Sequence, residues 1–147
     1  IGELISITKI VIVGNWSTAY GKMISKMYQG NSNLIKIESQ YDQKIMNSLR
    51  QGSGIYVHGH SVGGTNPGLL QAMAANCKII AHDNIFNRSV MENEGAYFEW
   101  VTPSIKNFWL NKKSISQKWE DKLKHYRWEE VSDQYYVISR KLVERTY

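Results

Sequence analysis

The sequence predicts an α/β fold in which a Rossmann-like parallel sheet is flanked by helices and followed by a helical C-terminal tail. Short β-branched runs alternate with amphipathic segments, which is typical of parallel strands connected by helices. The chain has 147 residues, 42% of them hydrophobic, which is enough for one domain with a single core. After Pro103 the strand-like runs stop and only helical spacing continues.

The strands are predicted from apolar runs of strand length. The run from Lys9 to Val13 is continuous and β-branched and ends at Gly14, which indicates a parallel strand buried on both faces. Four later runs are predicted as strands on the same grounds: Leu34–Ile37, Gly54–His58, Lys78–Ala81 and Ala96–Phe98. We expect all five strands to belong to one sheet.

The helices are predicted from apolar residues spaced three and four apart. The first runs from Ser17 to Tyr28, and Gly30 ends it. Further helices are predicted at Tyr41–Leu49, Pro67–Ala75, Asn87–Asn93, Ile105–Leu110, Ser116–Tyr126 and Trp128–Arg145. On the last helix, one stripe is expected to pack against the domain: Trp128, Val131, Tyr135, Ile138 and Leu142.

The net charge of +5 allows two kinds of anionic partner, a phosphate-bearing ligand or an anionic membrane surface. Much of this charge lies in the last third of the chain, where interleaved Asp and Glu are more typical of a solvated helix face. No nucleic acid partner is expected, because no recognition helix, zinc finger or aromatic RNA-binding pattern occurs. No apolar run is long enough to cross a bilayer.

The single cysteine, Cys77, excludes a disulfide within the chain and fits a reducing, cytoplasmic setting. Its apolar neighbours favour a small buried core residue over a nucleophile. His58 and His60 could both ligate a metal ion, but no third ligand follows at a suitable spacing. We therefore expect no metal and no other cofactor.

The most informative segment is the glycine-rich stretch that follows the third predicted strand. It lies where a strand ends and a helix begins, which is where open α/β sheets bind ligands. Gly63 and Gly64 allow a sharp turn and a close approach of the backbone to a ligand. Thr65 or Asn66 can cap the helix that begins at Pro67.

A helix start of this kind favours a phosphate or diphosphate through its free N–H groups. The alternative is a purely structural role as a tight strand-to-helix turn with no ligand, and it explains the Gly-Gly-Thr-Asn-Pro sequence about equally well. The segment is not a Walker loop, because no Gly-Lys-Ser/Thr follows. It also lacks the Gly-x-Gly-x-x-Gly spacing of dinucleotide-binding folds.

The stretch from Tyr56 to Pro67, continued by Leu69–Met73, resembles the donor-site motif of retaining glycosyltransferases of family four. More narrowly, it is similar to a bacterial subgroup often described as rhamnosyltransferase-like. The segments Ile10–Trp16 and Ile79–Arg88 also match that subgroup in kind and order. The resemblance covers nearly the whole chain, and its specific part is His58–Pro67.

The resemblance implies the C-terminal, donor-binding domain of a GT-B-fold enzyme. Residues 1–102 would form the nucleotide-sugar-binding domain, and 103–147 would form helices packed on it. The implied chemistry is sugar transfer from a nucleotide sugar with retention and without a metal ion, in the synthesis of a bacterial surface polysaccharide or related glycan. The setting would be cytoplasmic, including the inner face of the membrane.

The resemblance also implies roles for individual residues. The donor diphosphate and sugar would lie near Gly14, Asn15, His60, Gly63, Gly64, Thr65 and Asn66. Family members carry two glutamates with seven residues between them, and here these positions hold Gly63 and Gln71. Gln71 would bind the ribose without the charge-assisted bond of a carboxylate. Asp83, Asn84 and Asn87 are expected on the sugar side. No catalytic base can be assigned.

Relatives also have an upstream strand with a Gly-Arg pair followed by a lysine, and no such pattern precedes Ile10. We therefore expect an inactive fragment that lacks its N-terminal acceptor domain. An exposed sheet edge would result, at which a second copy of the chain could pair. Two alternatives stay open. One is another enzyme of the same fold, such as a nucleotide-sugar epimerase or a sugar phosphorylase, and the other is a non-catalytic nucleotide-binding module.

Overall fold

The computed structural model describes residues 2–99 and 103–144, and the α/β prediction is confirmed. Five parallel strands alternate with helices, and a helical segment follows. The strands are β1 (Ile10–Val13), β2 (Leu34–Ile37), β3 (Tyr56–His58), β4 (Ile79–His82) and β5 (Ala96–Phe98). The helices are α1 (Gly2–Ile5), α2 (Ala19–Met27), α3 (Gln43–Gly52), α4 (Pro67–Ala74), α5 (Ile85–Met91), α6 (Pro103–Leu110), α7 (Glu120–Lys124) and α8 (Trp128–Glu144). A 3₁₀ turn at Glu92–Glu94 follows α5.

The strands form two parallel sheets rather than the one that was expected. The first sheet has the order β1-β2, and the second has the order β3-β4-β5. Ile10 lies opposite Leu34 in the first sheet, and Tyr56 lies opposite Ile79 in the second. The prediction that β1 is buried on both faces was also wrong, because Val11 is 45% exposed. An apolar run indicates that a strand has a partner, but it does not indicate which strand that partner is.

The core belongs to the second sheet, where all four residues of β4 are buried. Helices α4 and α5 and the segment before α7 close over it, with these side chains in one cluster: Leu69, Ala72, Met73, Cys77, Ile79, Ala81, Val90, Met91 and Trp119. The prediction of a buried Cys77 is confirmed. Burial raises the pKa of the Cys77 thiol, which stays protonated at neutral pH.

Helix starts follow local capping rules. Asp42 caps α3 by accepting hydrogen bonds from the amides of Lys44 and Ile45, and Asn66 caps α4 through the amide of Gly68. Asn66 was one of the two caps that the sequence offered for α4, and Pro67 occupies the first turn as expected.

The segment after residue 103 differs from its prediction in two ways. The helix expected over Ser116–Tyr126 is confined to α7, because residues 115–119 run without helical structure along the start of β4. The apolar stripe of α8, which was expected to pack against the domain, is exposed. Trp128 is 79% exposed, and within the stripe only Val131 is half-buried. None of the described helices is both long and apolar enough to cross a membrane.

Candidate functional site

The candidate site lies at the carboxyl ends of β3 and β4. Because these strands are parallel neighbours, the turns that follow them leave the second sheet at the same edge. The turn after β3 is the glycine-rich segment 59–66, and it leads into α4. The turn after β4 leads through Asp83 and Asn84 into α5.

The glycine-rich segment presents an open stretch of backbone. Gly63 has a φ of +99°, and a Cβ placed at Gly59, Gly63 or Gly64 would meet nothing within 4 Å. Thr65 is exposed together with these glycines. The amides of Gly63, Gly64 and Thr65 donate no hydrogen bond to another described residue. A ligand can therefore reach N–H groups that the fold has left unused.

The first N–H group of α4, unlike those of the loop, already has a hydrogen-bond acceptor. The side-chain oxygen of Asn66 accepts a hydrogen bond from the amide of Gly68 at 2.8 Å, so this helix-end donor is already satisfied. The amides of Leu69 and Leu70 bond to the Asn66 carbonyl within the first turn. An anion at this edge would be bound by the loop amides before the helix, and the helix would contribute through its dipole.

Two asparagines hold the loop in place from the neighbouring turn. The side-chain amides of Asn84 and Asn87 both donate to the carbonyl of His60, at 2.9 and 3.0 Å. Asn87 is buried and also donates to the carbonyl of His82 at 2.8 Å. The sugar-side position expected for Asn87 stays a prediction, and the structure shows that its amide group fixes the shape of the loop.

His58 is the residue at which β3 enters the site. Its ring is 1% exposed and stacks on those of His60 and Tyr56, at centroid distances of 5.1 and 6.0 Å. Burial, assisted by the nearby His60, lowers the pKa of His58 to about 4. The Nε2 atom is buried without a hydrogen-bond partner. His58 is therefore neutral at physiological pH and does not act as a cation toward a phosphate.

The carboxylate in the turn after β4 is already paired. Arg88 donates from Nε and Nη2 to the two oxygens of Asp83, at 2.5 and 2.6 Å. This hydrogen-bonded pairing with Arg88 lowers the pKa of Asp83. Both groups are at the surface, so the pair fixes the turn after β4 without forming a buried charge pair.

The structure places Gln71 beside an arginine that the sequence reasoning missed. The Nη2 atom of Arg50, near the end of α3, donates to the Oε1 of Gln71 at 2.7 Å. Arg50 is only 7% exposed. The two residues are 21 positions apart in sequence. The sequence indicates the contact only through the position of Arg50, a charged residue beside the apolar face of α3.

Gly14 and Asn15 follow β1 in the first sheet, whereas the glycine-rich segment follows β3 in the second sheet. They line a cavity of about 190 Å³ together with Trp16. The Asn15 side chain accepts from the amide of Ser17 and so stabilises its own turn. The cavity is below the roughly 300–1,000 Å³ that is typical of small-molecule sites. It could border a larger ligand but does not enclose one.

Among the described residues, no group of three His, Cys, Asp or Glu side chains is placed to hold a metal ion. Comparisons of the chain with family models, with curated proteins and with solved structures gave no match. The candidate site therefore has to be judged from its own geometry and from the sequence motif.

Proposed function

We propose that this chain is the nucleotide-sugar-binding domain of a retaining glycosyltransferase that makes a bacterial surface polysaccharide or a related glycan. One observation supports this proposal above the others. The segment that resembles the family's donor motif folds into an exposed glycine loop with unused amides, at the carboxyl edge of a parallel sheet. That is the position at which open α/β sheets bind phosphorylated ligands.

In this proposal the donor diphosphate lies over the amides of Gly63, Gly64 and Thr65. The absence of side chains at the two glycines lets the phosphate oxygens approach the backbone closely. Asn84 and Asn87 hold the loop before any ligand binds, which reduces the entropy cost of binding. As the sugar is transferred, these N–H groups stabilise the negative charge that develops on the leaving diphosphate.

The ribose of the nucleotide would contact Gln71. Arg50 already uses the amide oxygen of this residue, so a ribose hydroxyl has to share that oxygen or accept from the amide nitrogen. Either bond is weaker than the carboxylate bond of relatives with Glu at this position. We expect nucleotide binding to be measurable but weaker than with a glutamate.

The residues from His58 to Pro67 contain no Lys or Arg. The amides can orient the diphosphate, but full neutralisation of its charge requires cations from another part of the enzyme. We therefore propose that residues 1–147 bind the donor without catalysing transfer.

A second candidate function is a non-catalytic nucleotide-binding module on the same fold. The Arg50–Gln71 hydrogen bond favours it, because the residue proposed to bind the ribose is already hydrogen-bonded within the fold. The two candidates make different predictions for nucleotide affinity and for activity in the full enzyme.

Titration calorimetry with UDP, GDP and dTDP tests the proposal. We expect one of the three to bind and the variant Thr65→Glu to weaken that binding about tenfold or more, because a carboxylate beside the amides repels the diphosphate. The matched control is Ser32→Glu, which makes the same charge change on the exposed turn before β2.

Equal losses in Thr65→Glu and Ser32→Glu would show that only net charge matters and would refute the loop as the site. Failure of a folded wild-type chain to bind any of the three nucleotides would refute the proposal as a whole. Nucleotide binding without sugar transfer, even when the acceptor half is supplied, would favour the non-catalytic module.

A further inference from the structure

A second cavity lies at the opposite, amino-terminal edge of the second sheet. It has a volume of about 310 Å³ and is formed where the chain enters β3 and β4, between the ends of α3 and α4 and the turn after α6. Neither the glycine-rich segment nor any residue of the candidate donor site lines it. Whatever this cavity binds is separate from the donor.

The lining of this cavity is strongly cationic. Arg50, Lys78, Lys112 and Lys113 all contribute to it, and none of its lining residues is an Asp or Glu. Lys78 donates from Nζ to the carbonyl of Lys112. The Nζ of Lys112 lies 3.6 Å from the centroid of the Trp109 ring. Neutral groups therefore position these two ammonium ions, and no carboxylate of the described residues forms an ion pair with either of them.

Arg50 supplies the second observation. It is more than nine-tenths buried, and its Nε atom has no hydrogen-bond partner. Its two terminal nitrogens donate to Asn47 and Gln71, so the guanidinium is held in one orientation. A guanidinium that is buried and held in this way adds a permanent positive charge beside the cavity.

The cations at this edge also have a simpler explanation, because α3, α4 and α6 end here and helix C-termini attract positive charge. Each helix end is equivalent to roughly −0.5 elementary charge. Four cations against three helix ends leave roughly 2.5 positive charges uncompensated. The helix ends alone therefore do not account for the lining.

We propose that this cavity is an anion-binding site for a phosphate group. The ligand is either a free phosphate or phosphate monoester or the headgroup of an anionic lipid, and the chemistry of recognition is the same. Lys112 and Lys113 bind the phosphate from the turn after α6, and Arg50 attracts it as a fixed positive charge at the end of α3. The site does not depend on the proposed donor function.

Titration calorimetry with inorganic phosphate at constant ionic strength tests whether the cavity binds a free phosphate. The variant Lys112→Gln/Lys113→Gln removes two cations from the cavity without altering buried Arg50, and Lys113→Gln alone changes an exposed side chain. The matched control, Lys26→Gln/Lys44→Gln, makes the same charge change on exposed positions of α2 and α3. We expect about tenfold weaker phosphate binding in the cavity double variant and less than about twofold in the control.

Sedimentation with phosphatidylcholine vesicles, with and without phosphatidic acid, tests the second source. Binding to the phosphatidic acid vesicles that is lost in the cavity variant but kept in the control supports a lipid headgroup. Binding of neither probe would overturn the inference, as would equal losses in both double variants. Phosphate binding that is abolished by Thr65→Glu and unaffected by the cavity variant would also overturn it, because the anion would then lie at the glycine loop.

Discussion

His58 is a side chain whose ionisation the fold strongly alters. It is buried at the end of β3 between two aromatic rings, and its pKa falls from 6.5 to about 4 because burial disfavours the charged form. A charge at this position would have no solvent and no carboxylate to stabilise it. A neutral imidazole therefore lies at the base of the glycine-rich segment.

This pKa makes stability depend on pH in a defined window. Between pH 6.5 and about 4 the unfolded chain binds a proton at this histidine that the folded chain does not. The free energy of unfolding should therefore fall as the pH drops through that window, by up to about 3 kcal/mol in all. Urea unfolding at a series of pH values measures the change, and NMR titration of the imidazole gives the pKa directly.

His58→Phe is the matched variant, because phenylalanine keeps the ring and the stacking but cannot bind a proton. Its stability should vary less with pH than that of the wild type over the same range. The same pH dependence in both proteins would show that other groups cause it, and an NMR pKa close to 6.5 would refute the buried neutral state.

The residues of the candidate site divide into those that the sequence could place and those that it could not. Asn66 and Pro67 were predicted because a helix cap depends on neighbours within a few positions. The pairing of Arg50 with Gln71 was not predicted, because these residues are distant in sequence and meet only after α3 packs on α4. The motif located the loop, but only tertiary contacts show which side chains are free to bind a ligand.

At the scale of elements, the segment before α7 shows tertiary contacts overriding helical propensity. Gln117 accepts from the amide of Ile79 and donates to its carbonyl, at 2.7 and 2.9 Å, as a neighbouring strand would. Trp119 is buried, and its Nε1 donates to the carbonyl of Cys77 at 2.8 Å. The spacing that predicted a helix from residue 116 could not reveal these contacts with the start of β4.

The two tryptophans on either side of α7 provide a direct test of where this segment packs. Trp119 is 2% exposed, and Trp128, at the start of α8, is 79% exposed. We expect Trp119→Ala to lower the free energy of unfolding by about 3–5 kcal/mol, through loss of packing and of a buried hydrogen bond. Trp128→Ala should change it by less than about 0.5 kcal/mol, as is usual for a surface substitution.

Urea unfolding followed by circular dichroism measures both variants. A loss of 2 kcal/mol or more in Trp128→Ala, a threshold well above the roughly 0.5 kcal/mol of surface changes, would mean that α8 packs against the domain as the sequence first suggested. A small effect of Trp119→Ala would contradict the position of the segment beside β4.

At the scale of the whole molecule, the division into two sheets was the feature least accessible from sequence. The alternation of strands and helices specified the fold class, because it depends only on the period of apolar residues along the chain. Which strands are neighbours depends on contacts between elements far apart in sequence. The division of the described strands into the sheets β1-β2 and β3-β4-β5 therefore appears only in the structure.

The two sheets should differ in stability. The large buried cluster lies between Leu69 and Trp119, and β4 is hydrogen-bonded on both sides. The first sheet has two strands, on which Val11 and Ile35 are exposed. A two-stranded sheet with little apolar burial is marginal in water, so we expect the first sheet to open at lower free energy than the second.

Native-state hydrogen exchange in increasing urea measures these opening free energies residue by residue. The amides of β4 should exchange only through global unfolding, with the strongest dependence on urea. The hydrogen-bonded amides of β1 and β2 should exchange through a smaller opening that is less sensitive to urea, because that opening exposes less surface. If the amides of both sheets gave one common opening free energy, the molecule would unfold as a single cooperative unit. The prediction that the first sheet opens at lower free energy than the second would then be wrong.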